Sequence, residues 1–386
     1  MSEYQYYEFQ AIDKPLSEKE QEELRDLSTR AKISSSVFTN EYHFGNFKGD
    51  PKKMVEKYFD AFMYYANWGT RWLILRIPKK LIDPELAEQY CDGDSSVVYE
   101  KGPYLIFEFV SEADDYEWED IDFHMASLAS LRADLIRGDY RCLYLAWLYS
   151  AMMSEVREDD KEPPVPPNLG NLNSSLKSFA DFMRIDTDLI DAAAENSIKE
   201  QYPVKDQKKL KTWVSDLSPA EKDKILIRLI SNNDVHLGNE LLQRFKKQLS
   251  KNDSENKVMP LRTAAELIQK GDRNAEERQR RLDEQRLKEK ARREKEQAIE
   301  RENYLNDLAG RENEIWEKIN ELIQIKQPRA YDQAILHISD LEDLADLAGR
   351  NKAVGTFKKK LISLMEIHSR KPSLLRRLES AGLKYI

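Results

Sequence analysis

The sequence predicts an α+β N-terminal sandwich domain followed by a mostly α-helical region with a long charged helix. Three observations carry that prediction. The first 112 residues alternate aromatic-rich strand patterns with capped helices. After residue 120 the apolar spacing becomes helical. From Asp272 to Glu302, 21 of 31 residues are charged with the signs interspersed, which is the pattern of a solvated, self-supporting helix.

Tyr4 to Ile12 is rich in Tyr and Phe and predicts a strand. Ser17 with Glu20 three residues on is a capping box, and Leu24 and Leu27 give the helix behind it an inward face. Val37 to Phe44 is a second strand. Asp50-Pro51 is a cap followed by proline at the first helical position. Met54, Val55, Tyr58, Phe59, Phe62 and Tyr65 then fall at helical spacing, so one helix is expected across 51–65. Trp72 to Ile77 is an apolar run closed by Pro78, a buried strand. Asp83-Pro84 starts a short helix. Val97 to Tyr99 and Tyr104 to Val110 flank a turn signal and form a hairpin. The order β-α-β-α-β-α-β-β favours helices on one face of a mostly antiparallel sheet.

Four segments are expected: an α+β domain (1–112), a helical domain (120–250) with a proline-rich linker near 158–167, a long charged helix (260–327) and a C-terminal helical hairpin (328–386). The acidic run Glu112, Asp114, Asp115, Glu117, Glu119, Asp120 and Asp122 marks the first boundary. Carboxylates this dense can hold Ca²⁺ or Mg²⁺, but the spacing is not that of an EF-hand, and a solvated linker is the plainer reading. Met125 to Met153 predicts two helices broken at Gly138-Asp139. The apolar run 142–153 is too short to span a bilayer and reads as a buried helix. Asp186, Ser218-Pro219 and Asp234 are helix starts, and Leu217, Ile225, Leu226, Leu229 and Ile230 form an apolar stripe. Residues 251–257 are a second linker. Past Tyr304, Leu305, Leu308, Ile315, Ile319 and Leu322 fall near a heptad register, suggesting a coiled coil, and the helix should stop at Pro328.

Within the charged stretch, Glu276–Arg280, Glu277–Arg281, Glu284–Lys288 and Glu289–Arg293 are acid-before-base pairs at i, i+4, each contributing about 0.2–0.5 kcal/mol on an exposed helix. A solvated spacer is the plain interpretation, and a partner-docking helix the functional one. The acids nearly cancel the bases, whereas phosphate binding needs an unbalanced face. The net charge of −9 likewise argues against a general nucleic-acid binder. Cys91 and Cys142 lack metal-site spacing and suit a reducing cytosol. The N-terminus has no signal-peptide pattern, which makes a cytoplasmic location the expectation.

No Gly-rich phosphate loop, H-E-x-x-H, G-x-S-x-G or paired C-x-x-C is present. Two constellations remain. His43, beside Tyr42 and near Asn67, Trp68 and Arg71, could gather at one sheet edge to hold an anion or do acid–base work; a surface histidine and a packed Trp are the bland alternative. At the other end, Lys371, Leu374, Leu375, Arg376, Arg377 and Leu378 form a basic amphipathic helix. Such a helix can dock an acidic partner or simply pack on its own domain. His124, His236, His337 and His368 are isolated and read as structural or exposed.

The start YQYYEFQAID, the segments FTNEYHFGNFKGDP and NWGT, the stretch EPPVPPNLGNL with LIDAAAENS after it, and the end HSRKPSLLRRLESAGL together resemble a family of uncharacterised bacterial proteins over nearly the whole chain. The RKPSLLRRL ending is also similar to the tails of bacterial SWIM zinc-finger proteins. Members of the family are encoded beside such proteins, which implies a shared process. The C-x-C…C-x-H pattern of a SWIM site is absent here, so no zinc role carries over.

The expected function is that of a non-catalytic cytosolic interaction or adaptor protein, with no cofactor and no metal. Its partner would be a protein, with a SWIM zinc-finger protein the first candidate, and no membrane. Leu374 and Leu378 would supply contact area while the flanking arginines orient an acidic partner. One alternative is a nucleic-acid-associated accessory protein of a bacterial defence or DNA-processing system. The other is an enzyme with a site near His43 and Arg71.

Overall fold

The computed structural model describes residues 3–112, 123–199, 207–231, 234–252, 260–347 and 351–383. The acidic run at 113–122 and most of the second expected linker lie outside the described residues. The first part of the chain runs β1 (Gln5–Gln10), α1 (Glu18–Leu27), β2 (Lys32–Ile33), β3 (Val37–Tyr42), α2 (Pro51–Lys57), β4 (Ala61–Ala66), β5 (Arg71–Pro78), a 3₁₀ turn (Lys79–Leu81), α3 (Pro84–Glu88), β6 (Asp92–Gly93), β7 (Ser96–Lys101) and β8 (Tyr104–Ser111). The strands form one antiparallel sheet in the order β2-β3-β1-β4-β5-β8-β7-β6. The α+β head is therefore as the sequence predicts, followed by a mostly helical region with a long helix.

Local signals set the head's helix starts. Ser17 and Glu20 form the reciprocal capping box at α1. Asp50 accepts from the Lys53 backbone N–H, with Pro51 opening α2. The helix expected across 51–65, however, ends at Lys57, and Phe62 and Tyr65 lie on β4. The segment 61–66 is buried at all six positions. Alternation sends Phe62, Tyr64 and Ala66 to one face and Ala61, Met63 and Tyr65 to the other. An unbroken apolar run satisfies a two-faced strand as well as a helix, and pairing with β1 and β5 decides in favour of the strand.

Each face has its own core. On one, Phe9, Phe38, Phe59 and Phe62 pack with Leu24 of α1 and Val55 of α2, the Phe9 and Phe62 rings 4.4 Å apart. The other is covered by α4 (Met125–Ile136), α5 (Arg141–Met152), α6 (Ser174–Phe182) and α7 (Thr187–Ala194). Leu73, Leu75, Phe107 and Phe109 of the sheet meet Leu131, Tyr144, Trp147 and Phe179 there in one continuous core. The segments expected as separate domains, 1–112 and 120–250, thus share a core through α4 to α7. The long apolar α5 is buried from Arg141 to Ala151 because it lies in the middle of that layer.

The proline-rich stretch near 158–167 is no free linker. Glu162 is buried with its side chain at 0% exposure. Its carboxylate accepts from the Tyr144 hydroxyl (2.6 Å), from Arg262 Nε and Nη2 (2.8 Å each) and from the Arg262 backbone N–H (3.0 Å). Arg262 also donates to the carbonyls of Ala192 (2.7 Å) and Ala193 (3.1 Å) at the end of α7.

Three further helices follow: α8 (Gln207–Asp216), α9 (Pro219–Ile230) and α10 (Leu237–Asn252). Then comes α11 (Ala264–Ala309), 46 residues long. It starts with a Thr263–Glu266 capping box and buries Ala264 and Leu267 in the helical core. Gly271 touches α7 so closely that a Cβ there would sit 3.1 Å from the Leu189 Cα, and Arg278 pairs with Asp188 at 2.8 Å. From Glu276 to Tyr304 every residue is exposed, as its charge pattern requires.

The chain divides into two compact units, Met1–Arg278 and Gln279–Ile386, with the division inside α11. In the second unit the helix expected to run to Pro328 breaks at Gly310, giving α12 (Glu312–Ile325). It ends at Lys326 in the left-handed region (φ 57°) just before Pro328. Instead of a hairpin, the tail is three helices: α13 (Pro328–Leu347), α14 (Asn351–Ile367) and α15 (Pro372–Ser380). Ile319, Ile338, Leu361, Leu374 and Leu378 form its core with Leu305 and Leu308. Truncating Phe62, which is fully buried between strands and helices, should cost about 3–5 kcal/mol. The measurement is the urea midpoint of Phe62→Ala, and an unchanged midpoint would contradict the packing described.

Candidate functional site

The sheet-edge group is partly assembled. The end of β3, the β4–β5 turn and the start of β1 lie at the same end of the sheet, since Gln5 pairs with both Tyr42 and Ala66. The Tyr4 backbone N–H donates to Asn67 Oδ1, and the Asn67 N–H donates back to the Tyr4 carbonyl, each at 3.0 Å. Tyr42 accepts from Asn40 Nδ2 at 2.8 Å. His43 is exposed, its ring 5.4 Å from that of Tyr4. Trp68 packs half-buried on the α1–α2 face. Arg71 has a different task. It is 3% exposed, its Nη1 donates to the carbonyls of Asp181 (2.8 Å) and Phe182 (3.2 Å), and its guanidinium lies 4.8 Å from the Phe123 ring. A cation on the last carbonyls of a helix caps it. Arg71 thus fastens α6 to the sheet, and the ligand-holding role expected of it is replaced by a structural one.

The tail helix is corrected in the same way. Leu374 and Leu378 are fully buried in the core of the second unit, so they cannot supply a docking area. Lys371 donates to the Ile323 carbonyl at 2.9 Å, and burial, with the nearby Lys326 charge, pushes its pKa down. Arg377 pairs with Asp332 of α13. Leu375 is half-buried and Arg376 is exposed. The amphipathic pattern is that of a helix packed on its own domain.

The surface that stands out is α9. Not one of its residues is buried. The half-buried positions are Glu221, Lys222, Ile225 and Arg228, spaced at i, i+1, i+4 and i+7, one stripe of a helix. That stripe is held by ion pairs: Arg228 Nη2 lies 2.5 Å from Asp234 and 2.8 Å from Glu240, and Arg244 lies 2.5 Å from Glu221. The other large aliphatic residues of the helix are exposed, Leu226 53%, Ile227 66%, Leu229 62% and Ile230 81%, followed by Val235 at 68%. Apart from Ile225, its large aliphatic side chains lie in water, while Glu221 and Arg228 are held by ion pairs. Leaving such a side chain exposed forgoes about 1.5–3 kcal/mol relative to burying it. Of the stripe expected from sequence, Leu226, Leu229 and Ile230 are exposed, whereas Leu217 and Ile225 are half-buried.

Two buried polar networks complete the inventory. Asp60 accepts from Arg76 Nη2 (2.9 Å) and from the backbone N–H groups of Ile12 (2.7 Å) and Asp13 (2.8 Å). Asp13 in turn accepts from both terminal nitrogens of Arg132 and lies 2.9 Å from His236 Nε2. Burial would raise the pKa of Asp13, but hydrogen bonds and charge from Arg132 and His236 outweigh it and hold the carboxyl below its ordinary range. At Glu162, burial is likewise outweighed by Arg262 and Tyr144. Among the described residues no hydroxyl or thiol is bonded to His236 to make the pair a nucleophile site. No group of three or more His, Cys, Asp or Glu among them could hold a metal ion, and no described helix is long and apolar enough to cross a membrane. Both networks are anchors.

No family model, curated protein or solved structure matches the chain. Function therefore has to follow from its own surfaces.

Two outcomes are expected. Leu374→Ala should destabilise the second unit by about 2–5 kcal/mol, seen as a lowered thermal transition. A carboxyl whose pKa is depressed on folding contributes stability that is present above its unfolded value and lost as pH falls through the folded one. The first unit should therefore keep a constant urea midpoint above about pH 5 and lose stability below about pH 4. Glu162→Gln should start lower and show a shallower acid slope.

Proposed function

We propose that the protein is a non-catalytic adaptor that docks a partner protein on the exposed aliphatic ridge of α9. The observation that carries this is the inverted helix: Leu226, Ile227, Leu229, Ile230 and Val235 lie in water while the polar stripe of the same helix is tied down by ion pairs. Contiguous exposed apolar residues rimmed by charge mark interaction sites, and a helix face covered by a partner helix is a recurrent mode of recognition. The ion pair between Lys80 and Asp234 (2.7 Å) and the hydrogen-bond contact between His236 Nε2 and Asp13 (2.9 Å) hold the start of α10, next in sequence, against the head, so the ridge is presented from a fixed base.

The docking site thus moves from the tail helix, whose leucines form a core, to α9. A SWIM zinc-finger protein is the first partner to test. The enzyme alternative loses its cation, because Arg71 is engaged on helix carbonyls. The tagged full-length chain should co-purify a partner from the source cells. Ile227→Asp with Ile230→Asp should lose it while the thermal transition stays within about 1 °C, since exposed substitutions change stability little. Equal recovery by both chains would refute docking at α9.

A further inference from the structure

Within the second unit, α12, α13 and α14 line a cleft of about 250 Å³. Its walls are largely apolar. Leu341, Leu344 and Phe357 are buried, and the half-buried Trp316 has its ring 6.0 Å from that of Phe357. Two charged side chains also line the cleft, Glu312 and Lys360. Lys360 Nζ lies 5.8 Å from the Trp316 ring centroid and donates to Asn313 Oδ1 at 3.2 Å. An ammonium carries three donors, so two remain for a ligand. Opposite charges attract at close range, yet among the described residues neither Glu312 nor Lys360 has an oppositely charged partner. Arg311, which precedes Glu312 in sequence, is held by Asp307 and Glu314. The cleft thus offers one cation and one anion, held apart, beside an apolar wall.

We propose that this cleft binds a free hydrophobic α-amino acid. The ligand carboxylate is met by Lys360, its ammonium by Glu312, and its side chain by Leu341, Leu344, Phe357 and Trp316. Small-molecule sites share this make-up, an apolar lining with a few polar groups that fix orientation. The size agrees: 250 Å³ is the share of roughly eight waters at about 30 Å³ each, below what a drug-sized ligand fills. A simple acid would leave Glu312 unanswered, and a simple amine would leave Lys360 so. A nucleotide is larger and would bring its phosphates against Glu312. This ligand site is independent of docking at α9.

The test is calorimetric titration of the full chain with L-leucine and L-phenylalanine. Each is compared with its analogue lacking the ammonium, its analogue lacking the carboxylate, and glycine. At least one of the two amino acids should bind about tenfold or more tightly than its own analogues and glycine, as expected when a hydrogen bond to a charged group or an apolar contact is removed. Lys360→Gln should erase the advantage over the amine, and Glu312→Gln the advantage over the acid. Neither residue is buried, so the thermal transition should stay within about 1 °C. The exposed Thr356 also lines the cleft, and Thr356→Trp should fill it and abolish binding in a chain that still melts cooperatively. The proposal is overturned if neither amino acid binds up to about 10 mM, if an analogue or glycine binds as tightly, or if binding survives Thr356→Trp.

Discussion

Glu162 holds a charge wholly withdrawn from water, and several segments of the first unit are arranged to satisfy it. A buried carboxylate is tolerable only when its lone pairs are met by a cation and further donors. Tyr144 of α5 and Arg262 meet them, and Arg262 then closes on the last carbonyls of α7. The Glu162 backbone N–H donates to the Arg262 carbonyl as well, at 2.9 Å. One carboxylate thereby fixes the proline-rich stretch, the central buried helix, the end of α7 and the approach to α11. Unpairing it would leave a charge in a low-dielectric core, so these segments stand or fall together.

The same logic separates anchoring from display. Arg71, Asp60, Arg132 and Glu162 are buried ionic groups whose partners are backbone carbonyls, amides or opposite charges. They position elements. On α9 the ion pairs face inward and the aliphatic residues outward. Polar contacts hold the helix down, and most of its aliphatic surface lies in water.

How much of this was readable beforehand depended on whether the deciding neighbour was close in sequence. The Ser17–Glu20 box, the Asp50-Pro51 start, the turn at Gly102 and the helix break at Gly138 are encoded within a few residues, and the structure has each of them. The strand at 61–66 was mistaken for helix because six apolar residues in a row carry no period. Only β1 and β5 on either side settle it. Leu374 and Leu378 look alike as docking or core residues until Ile319, Ile338 and Leu361 are seen beneath them. The carbonyls that Arg71 caps lie 110 and 111 residues away. Of the apolar stripe read near α9, Leu226, Leu229 and Ile230 are exposed while Leu217 and Ile225 are half-buried, and that split depended on Glu240 and Arg244, which no local pattern links to it.

The ends of the sheet carry a further consequence. An eight-stranded open sheet has two edges, and an edge with free amides and carbonyls is a template on which any extended chain can polymerise. Here the last strand at each end, β2 and β6, is two residues long, with Lys32 and Asp92 exposed on them. Neither offers a run long enough to nucleate a foreign strand. Pairing of a foreign strand onto β2 and β6 themselves is discouraged. On the docking reading proposed above, selectivity would then fall to side chains, whose shape and charge can tell one partner from another.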